Sequence, residues 1–296
     1  MKQALVAASS RLGPGSETAA AALFLGLRFC AAALIVLVIS RTARLGLRRT
    51  GSRPAWSAGA WLGFLLILGF GLQMRGLADV TPAVSAFLTS LYVLFTAAMS
   101  AARSRRGLRA SLAVGAILAT IGAGLVRGRP ELRFTTGEWL TVASAFVFAA
   151  HILATDRLTR VIAPMALTFT SFVVIALGNV VVFGACAVID GPQWERVGEL
   201  LQAREFLVPL ILTTTLATVV ALSLMNLFQR ELDPVRAAIL YAFEPIFAVI
   251  FGVFSGLDTL TPWLWTGGAL ILAGNLIAEL SSWRSVPEAT PVRADS

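Results

Sequence analysis

Long apolar runs separated by short polar turns make up almost the whole chain. A helix needs roughly 20 mainly apolar residues to cross a bilayer. Nine runs approach or exceed that length: 18–40, 55–74, 80–102, 108–126, 138–156, 164–189, 206–228, 234–255 and 261–283. Pro82, Pro164, Pro234 and Pro262 each stand at the first turn of a run, where a missing N–H costs nothing. Tryptophans gather at run ends or in a loop (Trp56, Trp61, Trp139, Trp194, Trp263, Trp265, Trp283), as in an aromatic belt at a membrane surface. The pattern predicts an all-α polytopic membrane protein of nine transmembrane helices.

The runs also repeat. Residues 82–125 recur without a gap at 234–277, an offset of 152, so that Pro82 matches Pro234, Gly115 matches Gly267 and Gly122 matches Gly274. Each copy reads as two apolar helices around a turn. The first turn is Arg103-Ser-Arg-Arg-Gly-Leu-Arg109, and the second, Ser255-Gly-Leu-Asp-Thr-Leu-Thr261, has no basic residue. Arginine-rich loops stay in the cytoplasm, so the two copies are expected to cross the membrane in opposite directions. Inverted repeats of this kind are the architecture of secondary transporters, which rock one repeat against the other.

Basic residues on alternate loops orient the chain. Arg41, Arg44, Arg48, Arg49 and Arg53, the 103–109 turn, Arg157, Arg160, Arg230, Arg236, Arg284 and Arg293 outnumber those of the opposite side, Lys2, Arg11, Arg75, Arg127, Arg129, Arg133, Arg196 and Arg204. The larger set marks the cytoplasmic side, which places the C-terminus inside. Four spans then precede the five of the second half, so the first repeat (1–126) reads as lacking its opening helix; either the start of the chain is expected upstream of Met1, or residues 1–17 do something unusual. The second repeat is 138–283, and the polar stretch 284–296 reads as a disordered cytoplasmic tail.

Composition narrows the class. The chain is 57% hydrophobic and 14% charged, against about 25% charged in an average soluble domain. A net charge of +8 is accounted for by loop arginines, with no basic, aromatic-interleaved stripe for nucleic acid. Cys30 and Cys186 lie in separate apolar runs, which excludes a disulfide framework and a cysteine metal site. No phosphate-binding loop and no cofactor motif is present, and the expected surroundings are a lipid bilayer. The N-terminal apolar stretch is too short for a signal peptide. An inner or plasma membrane protein follows.

Charge within a span is costly and therefore informative. Arg28 lies mid-span in Leu25-Gly-Leu-Arg-Phe-Cys30, and Glu244 lies mid-span in Tyr241-Ala-Phe-Glu-Pro-Ile246. Glu244 could carry a proton or meet a cationic substrate group, and Arg28 an anionic one; a buried ion pair, or Arg28 reaching to one interface, is the structural alternative. Pro245 cannot donate to the Tyr241 carbonyl, which predicts a mid-membrane kink. Tyr241 shares a helix face with Glu244. The first repeat carries a polar stripe, Ser85, Thr89, Tyr92, Thr96 and Ser100, on one side of the third span. The repeat alignment puts Tyr92 at the position of Glu244 and Thr89 at that of Tyr241. His151, the single histidine, could relay a proton or only bond a neighbouring helix. Asn179, Asn226 and Asn275 read as bridges between helices. Gly59-x-x-x-Gly63 and Gly252-x-x-x-Gly256 read as close-approach positions.

With these residues in view, the chain resembles the EamA type of the drug/metabolite transporter superfamily. The resemblance rests on Leu27-Arg-Phe-Cys-Ala-Ala-Ala33, on Ala149-Ala-His-Ile-Leu-Ala-Thr-Asp-Arg157, and most specifically on Asp233-Pro-Val-Arg-Ala-Ala-Ile-Leu-Tyr-Ala-Phe-Glu-Pro245, Leu257-Asp-Thr-Leu-Thr261 and Gly267-Gly-Ala-Leu-Ile-Leu-Ala-Gly274. It implies ten helices in two inverted five-helix repeats, cytoplasmic termini, and export of small metabolites, amino-acid-like or drug-like. Asp258 stands where the family usually has glutamate; at a loop, this is expected to change little.

The reading is a secondary active exporter of a small-molecule substrate, and not an enzyme. Tyr92, Tyr241, Glu244, Arg28, His151 and Thr89 are its candidate substrate-binding residues. A proton as coupling ion and a homodimeric assembly remain open. The alternatives are a non-transporting partner subunit and a membrane-embedded enzyme on a lipid-linked substrate. The second needs clustered acids or histidines, which the spans lack.

Overall fold

The computed structural model describes residues 2–13, 16–41, 43–45, 52–103, 110–126, 134–190, 194–228 and 234–283, and among these the chain is helical with no strand. In order, the helices are α1 (Lys2–Leu12), α2 (Glu17–Ile39), α3 (Ser52–Asp79), α4 (Pro82–Thr89), α5 (Tyr92–Arg103), α6 (Ala110–Leu125), α7 (Thr136–Leu158), α8 (Pro164–Asp190) and α9 (Trp194–Leu200). After them come α10 (Arg204–Leu212), a π-helical stretch Thr213–Val220, α11 (Ala221–Phe228), α12 (Pro234–Phe254) and α13 (Pro262–Trp283). The tail 284–296 and the 104–109 part of the arginine turn lie outside the described residues.

Each of the nine apolar runs is helical. Glu17–Ile39, Arg53–Asp79, Pro82–Ala102, Thr136–Leu158, Pro164–Ile189 and Arg204–Phe228 are long and apolar enough to cross a membrane, and Ala110–Leu125, Glu244–Phe254 and Pro262–Ala278 are shorter apolar helices. The chain is thus a polytopic all-α membrane protein. The 152-residue offset carries the start of α3 onto α10. Helix α1 packs on α10 as α7 packs on α3, so an eleven-residue helix stands where the first repeat would open. Its Ala4, Leu5, Ala8 and Leu12 are buried. Lys2 Nζ donates to the Val80 carbonyl at 2.5 Å, and Arg196 donates to the Leu12 carbonyl at 3.0 Å, which fixes both ends.

Apolar packing forms two main clusters. One gathers α1, α2 and α8 with the C-terminal turns of α3; the other gathers α4 to α7 with α12 and α13, and Phe148 touches both. The second is built on a close seam between α6 and α13. A Cβ added to Gly115 would stand 2.5 Å from the Gly274 carbonyl oxygen, and one on Gly274 would stand 2.5 Å from that of Gly115. For Gly122 and Gly267 the reciprocal distances are 2.6 and 2.7 Å. Gly115 and Gly267 are repeat equivalents, as are Gly122 and Gly274, so the seam is related to itself by the pseudo-two-fold. Gly59 and Gly63 likewise admit Thr170 and Val174 of α8. Gly252 instead faces Asp258, and Gly256 holds a turn at φ +67°, so that second glycine pair shapes a turn and does not join two helices.

Two interruptions fall at positions that the sequence did not single out. Helix α12 runs through Pro245. The third span breaks instead at Ser90–Leu91. There Ser90 Oγ donates to the Phe87 carbonyl, and Leu91 N and Val93 N bond three residues back, to Leu88 and Ser90. Serine competing for backbone carbonyls and a tightened turn are known ways to end a helix. The seventh span winds as a π-helix over Thr213–Val220, just after Pro209, and Thr213, Thr215 and Thr218 each bond back to an earlier carbonyl.

Candidate functional site

Tyr92 is the first residue of α5, directly after the break, and it is buried. Its hydroxyl donates to Oε2 of Glu244 at 3.2 Å across 152 residues, the repeat offset itself. Glu244 is exposed, and Pro245 behind it is buried. The two equivalent mid-span positions thus meet at the pseudo-two-fold, one as a phenol and the other as a carboxylate. A carboxylate in this position can bind a cationic group or take up a proton, and the phenol orients it.

Other polar groups converge on the same break. Gln73 of α3 donates to Thr89 Oγ1 at 3.0 Å. Asn275 of α13 donates to both the Ser90 carbonyl, at 3.0 Å, and Ser90 Oγ, at 3.2 Å. The Ser90 carbonyl, which accepts from Val93 N within the turn, thus takes a second-repeat amide as well, while Asn275 Oδ1 is buried with no partner among the described residues. The polar stripe is real but bent by the break: Ser85, Thr89 and Tyr92 are buried, Thr96 half-buried and Ser100 exposed.

Arg28 stands in the other cluster. It is 3% exposed, donates from Nε to Thr218 Oγ1 at 2.5 Å, and sits 5.2 and 5.1 Å from the ring centres of Phe29 and Phe70, a cation–π arrangement. Thr218 lies in the π-helix and donates in turn to the Thr213 carbonyl at 3.0 Å. Helix α3 links the two places: Phe70 faces Arg28, and Gln73, one turn on, holds Thr89. The structure therefore sets Arg28 in a buried aromatic slot and puts Glu244 beside Tyr92.

His151 is buried on α7, which packs against α5. Tyr241 belongs to α12, and its side chain lies outside the described residues. Asn226 bridges to Thr168 Oγ1 at 2.6 Å as expected, whereas Asn179 bonds the Ile175 carbonyl of its own helix. Sequence reasoning missed Gln73, Thr218 and the Ser90–Asn275 contact. A lone amide in an apolar run pointed to Gln73. Asp258, noted in the sequence only for its place in the 255–261 turn, is buried and accepts from the Ala83 backbone N–H at 3.1 Å.

Comparison with known proteins gives a consistent picture. The sequence profile of the EamA-like transporter family matches residues 5–128 and 135–279. An uncharacterized transporter of Archaeoglobus fulgidus is 27% identical over 220 residues, 74% of this chain and 67% of that protein. A protein crystal structure shares the fold, with a TM-score of 0.61 at 18% identity, over 96% of this chain and 94% of that one.

Proposed function

We propose, on the premise that this chain belongs to the EamA-like transporter family, that it exports small metabolites by alternating access, with Tyr92 and Glu244 at the centre of the substrate path. A chain of this family is a multi-pass membrane transporter and not an enzyme. The finer reading is an inner-membrane exporter with a cytoplasmic C-terminus. It carries amino-acid-like or drug-like compounds past a site between two repeats, 1–126 and 138–283.

The observation that carries it is the Tyr92–Glu244 hydrogen bond. It joins equivalent residues of the two repeats beside a broken helix, and broken helices near the midplane are where such carriers hold substrate. Thr89 and Gln73 line the same break; His151 and Tyr241 are assigned to the path through their helices. Arg28 is proposed to meet an anionic substrate group in one state of the cycle. Proton coupling through Glu244 is motivated by an exposed acid in an apolar span.

The test is mass spectrometry of the growth medium of cells overexpressing the chain, beside Glu244→Gln. A compound that accumulates outside only with the parent chain supports export and names the substrate class. Unchanged media from both, with the protein present in the membrane, would sink the exporter reading and favour a partner subunit.

A further inference from the structure

The eight-residue helix α4 is held at both ends by the second repeat. At its C-terminal end Asn275 takes the Ser90 carbonyl. At its N-terminal end Asp258 Oδ2 accepts the Ala83 N–H at 3.1 Å, beside the Thr81 hydroxyl that caps Val84. A carboxylate on the free N–H groups of a helix start is favoured by hydrogen bonding and by the helix dipole. The turn is shaped for this contact. Leu257 N and Asp258 N both bond the Gly252 carbonyl, Gly256 supplies the positive φ, and Gly252 has no Cβ because the Asp258 carboxylate fills that space.

We propose that Asp258 is the latch of the outer gate, holding the end of the molecule at the 255–261 turn closed until the α12–α13 hairpin swings away from α4. The pseudo-two-fold gives the latch its direction. At the 152-residue offset Asp258 corresponds to Arg106 and Ala83 to Val235. A guanidinium carries only donors and cannot cap the N–H groups of a helix start. The Arg106 side chain therefore cannot supply the counterpart of this bond, which favours a carrier closed outside and available inside at rest. That resting state suits loading from the cytoplasm. The assignment of sides rests on the proposed orientation, with the arginine-rich turns in the cytoplasm; the latch itself does not.

The test uses the full chain with Cys30→Ser and Cys186→Ser and a reporter, Ser85→Cys, on the buried face of α4. Its reaction with a membrane-impermeant maleimide is timed in intact cells and in inverted vesicles. With Asp258→Ala the reaction from one face is expected to quicken by about tenfold, the size of one lost charge-assisted hydrogen bond. Asp258→Asn, which keeps an acceptor without the charge, falls between. Gly252→Ala, which crowds the carboxylate out of its place, gives the same direction as Asp258→Ala with the acid intact. Quickening in intact cells supports an outer latch. Quickening only in inverted vesicles overturns the sidedness and with it the exporter orientation. Equal rates from both faces in Asp258→Ala and Gly252→Ala overturn the latch, whatever the export assay gives.

Discussion

The hydroxyl of Tyr92 donates to the carboxylate of Glu244 at 3.2 Å, and the two residues occupy the same position in successive copies of one repeat. Residues related by a two-fold can touch only near its axis, so the contact marks where the axis passes between the third and eighth spans. The copies have diverged there into an acid and its donor.

Removing the donor leaves an acid that is less well oriented. Tyr92→Phe is expected to slow export about tenfold, since a hydrogen bond to a charged group contributes about 1.5–3 kcal/mol. In a Glu244→Ala background the same change should cost little, because residues acting through one bond are not additive. Flux measured in proteoliposomes for the four chains of that cycle decides it, and full additivity would separate the two residues.

If Glu244 carries the coupling proton, Glu244→Gln uncouples the carrier from a pH gradient. Counterflow exchange of substrate should persist while accumulation driven by an imposed gradient disappears. Gradient-driven uptake at the parent rate in Glu244→Gln vesicles would refute proton coupling at this residue.

Thr218 accepts from a buried guanidinium, and Val has nearly its shape without its oxygen. Thr218→Val is expected to lower the stability of the purified protein by about 1–3 kcal/mol, the usual result of leaving a buried donor unmet, seen as a thermal midpoint lower by several degrees. Arg28→Lys should fall in the same range, because an ammonium cannot lie flat between Phe29 and Phe70. Unchanged midpoints for both would argue that the slot contributes nothing to folding.

The seam between α6 and α13 predicts matched pairs. Gly115→Ala and Gly267→Ala should each destabilise by about 1–3 kcal/mol through overpacking against backbone, and by similar amounts, because each Cβ meets the carbonyl of the other helix. Gly71→Ala, where a Cβ meets nothing within 4 Å, is the control. Thermal melts in detergent check the comparison, and strongly unequal effects within the pair would weaken the two-fold relationship.

The sequence disclosed the spans and the repeat because burial in lipid demands long apolar runs, and duplication leaves its period in the residues. Tyr92 and Glu244 were legible as partners for the same reason: the alignment superposed them. The interruptions were less so. Pro245 is the obvious breaker, yet α12 runs through it, since neighbours in a bundle can satisfy a freed carbonyl. Ser90 is only a weak breaker signal; its hydroxyl takes the Phe87 carbonyl, and the turn is also bonded by Asn275, 185 residues away. Arg28 and Glu244, the two charges that stood out, admit separate roles or one ion pair on sequence alone, and each has a different neighbourhood that no local spacing reveals. The role of Asp258 is likewise set by Ala83, a residue whose side chain says nothing.

The glycine seam has a consequence for ancestry. Its two sides are equivalent stretches of the repeat with the same glycine spacing, so a half-length chain carrying only one of them could bury that surface by meeting a second copy of itself in the opposite orientation. Within one polypeptide the halves need not stay identical to keep the contact between them. Single-copy substitutions could then give one half a phenol and the other an acid, or one turn its arginines and the other its aspartate.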